Sequence, residues 1–255
     1  MERAIKYKNG DKYVGELSGD LRHGKGTYVY VNGNKYQGFW ENGKKSGKGI
    51  YRYASGALYK GYWKDDRKNG KGTYTYTNGD EYDGDWLNGK QSGMGAYQFS
   101  NGDRYEGEWK DGLQHGKGNY LSENGNLYVG TWHEGVQQGP GKFRYKNGDI
   151  YDGSWLNDQR HGRGSLRYLN GGGYEGMWEN DKRHGRGTYE HANGDHYVGD
   201  WKNGKRHGKG GFMSKREVTK YDGQWENDMK HGKGYFYYSD GRAETREYAN
   251  DVRVK

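Results

Sequence analysis

The chain has 255 residues, of which 49 are glycine, 27 tyrosine and 9 tryptophan, with 29% apolar and 30% charged residues and a formal net charge of +8. It holds no cysteine, which excludes disulfides and Cys-based zinc sites, and no run reaches the apolar length of a membrane span. The first thirteen residues lack the apolar core of a signal peptide, so a soluble, cytosolic protein is expected.

Residues 1–12 read as a partial repeat that caps the N-terminus: Tyr7 and Asn9-Gly10-Asp11 match the end of the unit that follows. From Tyr13 a Y-x-G-x-W opening recurs at Tyr36, Tyr59, Tyr82, Tyr105, Tyr128, Tyr151, Tyr174 and Tyr197, each 23 residues after the last, and at Tyr221 after 24. Ten units therefore occupy residues 13–241, and a repeat array is expected rather than a globular domain. Low hydrophobicity would otherwise point to disorder, but here the apolar residues are aromatic and locked to a period. Leu17 stands where later units have Trp, as fits a first repeat with none before it.

Within one unit, Tyr174, Gly176 and Trp178 alternate with Glu175 and Met177, the period of a strand with two unlike faces. Asn180 to Gly185 have turn composition, and Gly185, Gly187, Tyr189 and His191 give a second alternation. Asn193-Gly194 then signals a tight primed turn. Each unit is a predicted strand, turn, strand and turn, with no helical apolar stripe anywhere. The predicted fold is all-β: an elongated, single-layer antiparallel meander of about ten hairpins, twisted and coiled, without a separate hydrophobic core. At about 4.8 Å per strand it would run about 95 Å before twist shortens it. The glycine pairs, from Gly24 and Gly26 to Gly232 and Gly234, stand where a side chain would collide with a large ring from the next strand. One repeat buries too little to order itself, so stability must come from neighbours.

The residue between the paired glycines is basic at Lys25, Lys48, Lys71, Lys117, Arg163, Arg186, Lys209 and Lys233, but is Met94 and Pro140 in the fourth and sixth units. Nearby, Gln91, Gln114 and Gln137 replace the Arg or Lys found at Arg22, Lys45, Lys68, Arg160, Arg183, Arg206 and Lys230. A basic edge is thus interrupted at its centre, by drift or by a protein contact. Residues 215–220 replace the Asn-Gly turn before the last unit, and residues 242–255 form a charged tail, as strand or helix, suited to covering a sheet edge.

Y-E-G-M-W-E-N-D-K-R-H-G-R-G-T-Y followed by N-G-D resembles the MORN repeat, the membrane occupation and recognition nexus, over residues 7–241. The resemblance implies a β-hairpin per repeat and long, slightly coiled antiparallel sheets. It also implies roles as scaffolds of ciliary radial spokes or protist cytoskeleton, as membrane-contact modules, or as appendages to kinases and methyltransferases. Asn119 to Gln138 is more similar to MORN-type radial spoke head proteins than to the lipid-kinase arrays.

Six histidines, His23, His115, His161, His184, His207 and His231, read as turn residues, spaced about 9–10 Å apart and too far to share a metal ion. His133, His191 and His196 show no partner pattern. The G-x-G pairs do not extend to a dinucleotide fingerprint, and no P-loop, nucleophile elbow or H-E-x-x-H is present. Asp80, Asp103, Asp149 and Asp195 follow the Asn-Gly turns and read as solvated. No enzyme activity and no cofactor are expected.

A non-enzymatic scaffold of a cilium, an axonemal radial spoke or another cytoskeletal assembly is the leading expectation. Its aromatic groove would grip a partner's helix or extended segment through Trp86, Tyr105, Trp109, Tyr128, Trp132 and Tyr151. The alternative is a module that tethers to acidic phospholipids through the row from Lys25 to Lys233. Nucleic acid ranks third, since the rings are committed to packing. Pairing of array ends into a homodimer stays open.

Overall fold

Strand alternation and turn residues recur through the whole computed structural model, which describes residues 2–217 and 219–255. Met1, in the N-terminal cap, and Val218, in the altered segment before Tyr221, lie outside them. The fold is an antiparallel meander of 23 strands in one sheet, with no helix among the described residues.

It divides into two units, residues 1–123 with 132–135 and residues 124–131 with 136–255. The first begins with β1 (Glu2–Lys6), β2 (Lys12–Ser18), β3 (Leu21–Val29), β4 (Lys35–Glu41), β5 (Lys44–Arg52) and β6 (Leu58–Lys64). It continues with β7 (Arg67–Thr75), β8 (Glu81–Leu87), β9 (Lys90–Gln98), β10 (Arg104–Lys110) and β11 (Leu113–Leu121). Strand β12 (Leu127–His133) contributes Leu127 to Thr131 to the second unit and its last two residues to the first. The second unit continues with β13 (Val136–Arg144), β14 (Ile150–Leu156), β15 (Gln159–Arg167), β16 (Gly173–Glu179), β17 (Lys182–Glu190) and β18 (His196–Lys202). It ends with β19 (Lys205–Ser214), β20 (Thr219–Glu226), β21 (Met229–Tyr237), β22 (Ala243–Ala249) and β23 (Val252–Arg253). Within β1–β11 and within β13–β23, strands pair with their neighbours in the chain. The charged tail adopts the strand alternative, and β22–β23 add a further short hairpin.

Register explains the glycines. Gly26 faces Gly15 on one side and Gly38 on the other, and Gly38 in turn faces Gly49, so bare backbone forms a lane across neighbouring strands. A tyrosine ring crosses each pair of facing glycines. A Cβ added at Gly118 would stand 2.6 Å from Tyr105 Cε2 and Cζ, so the expected collision is present. It holds only for the second glycine of each G-x-G and for the glycine of Y-x-G. The first glycine meets no such ring: Gly24, Gly47 and Gly116 have φ of +58°, +60° and +59°, at a bulge where three residues oppose one. There the left-handed backbone, rather than a ring, requires glycine.

The two turns also exchange roles relative to the sequence expectation. Asn180 (φ +48°) and Asp181 (φ +65°) form the two-residue primed turn, with Glu179 opposite Lys182. After the second strand, Gly194 alone has positive φ; its N–H donates to His191 O, and His191 N–H donates to Asp195 O. That pattern is a three-residue loop with a glycine bulge, also served by Asn-Gly. The paired strands consequently start earlier than predicted, and His23, His115, His161, His184, His207 and His231 are strand residues.

Candidate functional site

Each repeat locks onto the preceding one through groups its sequence supplies at fixed places. The tryptophan indole N–H donates to a glycine carbonyl fourteen residues earlier, as in Trp86 to Gly72 O (2.8 Å) and Trp178 to Gly164 O (3.1 Å). The leading tyrosine hydroxyl donates to the carbonyl three residues on, as in Tyr105 to Glu108 O (2.9 Å). The aspartates after Asn-Gly are staples, not solvated carboxylates. Asp103 accepts from Tyr120 Oη at 2.6 Å and from Glu123 N at 2.8 Å, and Asp80 from Tyr97 Oη and Ser100 N. Burial opposes ionisation of Asp80, but these hydrogen bonds and one from Asn78 outweigh it and hold the carboxyl at about 2.

Two aromatic ladders cover one face. In the lower one, tyrosine and tryptophan meet edge to face: Tyr82 to Trp109, Trp109 to Tyr105 and Tyr105 to Trp132 have centroids 5.1–5.2 Å apart. In the second unit, Tyr128 to Trp155 and Trp155 to Tyr151 repeat this at 5.3 Å. The upper ladder runs Tyr28, Tyr30, Tyr51, Tyr53, Tyr74, Tyr76, Tyr97, Phe99 and Tyr120, with steps of 4.5–6.0 Å. Cations cap the lower ladder: Arg22 lies 4.3 Å from the Trp40 centroid, Lys68 4.0 Å from Trp86, and Arg206 4.1 Å from Trp225. Burial pushes the Lys68 ammonium down to about 8.

The six rings expected to grip a partner belong to the lower ladder, Trp86, Tyr105, Trp109 and Trp132 in the first unit and Tyr128 and Tyr151 in the second, but as packing. Tyr105, Tyr128 and Tyr151 are 0% exposed, Trp86 4%, and Trp109 and Trp132 7%. A partner touching this face meets the half-exposed upper rings instead, Tyr30, Tyr53, Tyr76 and Phe99. Sequence reasoning passed over these four; the signal was a ring two residues after the second-strand tyrosine.

The row Lys25, Lys48, Lys71, Lys117, Arg163, Arg186, Lys209 and Lys233 is exposed, yet it is not an edge. It lies in strand interiors opposite Phe39, Tyr62 and their equivalents, on the face away from the ladders. The interruption at Gln91, Gln114 and Gln137 concerns a different row, that of the ring-capping cations; Gln91 donates instead to Tyr76 Oη at 3.0 Å. His115 and His133 come within 5.1 Å, a pairing the spacing did not reveal. Among the described residues no group of three or more His, Asp or Glu is arranged to hold a metal ion, and no helix is long and apolar enough to cross a membrane.

The MORN repeat pattern matches residues 13–35, 36–58, 59–81, 82–104, 105–127, 128–150, 151–173, 174–196, 197–214 and 221–241. The chain belongs to the MORN repeat family. Its ring-over-glycine hairpins are the structural form of that MORN pattern, and the family is one of structural rather than catalytic repeats. No curated protein matches the chain in sequence. Among solved structures, the wild-type TCP10 domain of Danio rerio CPAP is 13% identical, with 78% of this chain and 94% of that one covered and a TM-score of 0.44. The TCP domain of Drosophila melanogaster SAS-4, solved with a proline-rich motif of Ana2, is 12% identical over 79% and 90%, with a TM-score of 0.30. A Staphylococcus aureus virginiamycin B lyase is 8% identical over 96% and 83%, at 0.16. None of the three bears on the function of this MORN array.

Proposed function

We propose that the chain is a non-enzymatic scaffold that holds partner proteins in a ciliary assembly, such as an axonemal radial spoke, or in another cytoskeletal one. The observation that carries it is the upper ladder, whose half-exposed rings Tyr30, Tyr53, Tyr76 and Phe99 recur through the first four repeats above the buried Tyr–Trp ladder. Rigid rings lose little entropy on contact, which suits a partner's helix or extended segment laid across successive repeats. On this proposal the protein works in the cytoplasm, at the cytoskeleton or in a cilium. Affinity capture from ciliated cells tests it: Tyr53→Ser with Tyr76→Ser should release axonemal or cytoskeletal partners from a chain still folded by circular dichroism. Unchanged capture, or none from the wild type, counts against the scaffold.

Tethering to acidic phospholipid through the eight-residue basic row has weaker support. Lys71 is held by Asp85 at 2.9 Å and Arg163 lies 3.7 Å from Glu175, so part of the row is already neutralised. Flotation with phosphoinositide vesicles at low salt distinguishes it, retention supporting the tether.

A further inference from the structure

Charge is not shared evenly along the array. Residues 1–64 hold 13 Lys and Arg against 5 Asp and Glu, a net +8, while the remaining 29 Lys and Arg are balanced by 29 Asp and Glu. The excess gathers on one face of β1–β6, the face away from the aromatic ladders. Lys6 stands directly opposite Lys12, and Lys35 directly opposite Arg52. Like charges facing each other across strands oppose folding, so the sheet carries here a strain that an anion would relieve. Among the described residues, none of Lys6, Lys12, Lys25, Lys35, Lys48, Arg52 and Lys60 forms an ion pair. Acids on this face of the patch are few: Glu16 accepts from Lys25 N–H, Glu2 stands opposite Glu16, and Glu41 accepts from Ser46, whereas beyond the patch Asp83 accepts from Thr73 and Asp85 holds Lys71.

Large rings also line this face of the patch, as they do again in β21 at Tyr235 and Tyr237. Phe39 is 41% and Tyr62 43% exposed, each beneath a lysine: Lys25 Nζ is 5.8 Å from the Phe39 centroid and Lys48 Nζ 5.5 Å from that of Tyr62. In later repeats the equivalent positions are Asp85, Glu108, Thr131, Ser154, Met177, Asp200 and Gln224. Two shallow depressions follow one another where the glycine lane leaves backbone bare. Val14, Lys25, Gln37 and Phe39 border the first, and Gln37, Lys48, Ile50, Lys60 and Tyr62 border the second.

We propose that this face of the first three repeats docks an acidic, extended protein segment carrying an apolar side chain at every third position. Depressions one hairpin apart recur every ~9.6 Å, two strand spacings. Three residues of a polyproline-type backbone span ~9.3 Å and return to the same side, so apolar side chains enter successive depressions while acidic ones meet the flanking Lys and Arg rows. Lysines over Phe39 and Tyr62 leave these rings poorly placed for stacking bases, and a flat lipid surface has no side chains to fill the depressions. The site lies on the opposite face from the upper ladder, so it stands or falls independently of the scaffold surface proposed above.

Fluorescence anisotropy of the full chain with a labelled peptide of four Leu-Glu-Glu triplets tests the proposal. Binding at low salt should weaken by at least ~10-fold at high salt. Lys35→Glu with Lys48→Glu should weaken it by ~30-fold or more and the glutamine pair by less, while Phe39→Ser with Tyr62→Ser costs ~10-fold. Arg163→Glu with Arg186→Glu, in the second unit, should leave it unchanged. A peptide of the same composition with its leucines clustered should bind more weakly. No binding, equal loss from the second-unit pair, indifference to leucine spacing, or tighter binding of phosphatidylserine vesicles or oligothymidylate would each overturn the proposal.

Discussion

Tyr105 and Gly118 show what one residue does in this fold. The ring lies across Gly118 and Gly107, and its hydroxyl reaches Glu108 O, so one side chain spans two strands and fills the space two missing Cβ atoms leave. Gly118→Ala should destabilise by about 1–3 kcal/mol in a denaturant titration, because ring and backbone must both move. Gly116→Ala should also destabilise, for a different reason: its φ of +59° disfavours any Cβ. Ionisation tests the same packing. Burial pushes the Tyr13, Tyr28, Tyr120, Tyr174 and Tyr221 phenols up to about 12, against about 10 in an unfolded chain. Between those values the folded chain keeps protons that the unfolded chain has released. The stabilisation is therefore complete below pH 10 and falls as pH rises toward 12. Alkaline unfolding by circular dichroism should coincide with a cooperative rise in tyrosinate absorbance; independent titration of exposed phenols near pH 10 would contradict it. The acid side has the opposite sign: Asp80, held at about 2, contributes above about pH 4 and loses that contribution as pH falls.

At the scale of the hairpin, the two turns do separate jobs. The primed turn holds two residues at positive φ and ties back to the repeat before it, through Asp181 Oδ1 accepting Arg160 N or, where glycine replaces Asp, through Gly43 N donating to Arg22 O. Asn157→Val, which puts a β-branched residue at φ +49°, should cost about 1–2 kcal/mol or more, whereas Lys146→Val, at an ordinary φ in the other loop, should stay within about 0.5 kcal/mol. Strand positions, the 23-residue period and the glycine–ring match were legible in the sequence because each follows from alternation and side-chain size. The turn types were not, since Asn-Gly suits both a primed turn and a glycine bulge, and only the register across the loop decides. Nor was the burial of Trp109 and Tyr105. A period-two pattern shows that rings share a face but not that a second ladder covers the first. The aspartate staples were hidden for a similar reason: Tyr120 and Glu123 lie 17 and 20 residues from Asp103.

Across each unit, repeats borrow closing contacts from the previous one: an indole bond to its glycine carbonyl, joined in many of them by an aspartate staple or a capping cation. Leu17, with no such repeat before it, and Tyr248, facing Gly232 where other repeats place Trp, adapt the ends to that scheme. Stability should therefore accumulate as in a one-dimensional stack. The most direct measurement is urea unfolding of arrays ending after β7, β11, β15 and β23, followed by circular dichroism and tryptophan fluorescence. Midpoints should climb at each step, the shortest array being largely unfolded in water; a shortest array as stable as the full chain would contradict the account.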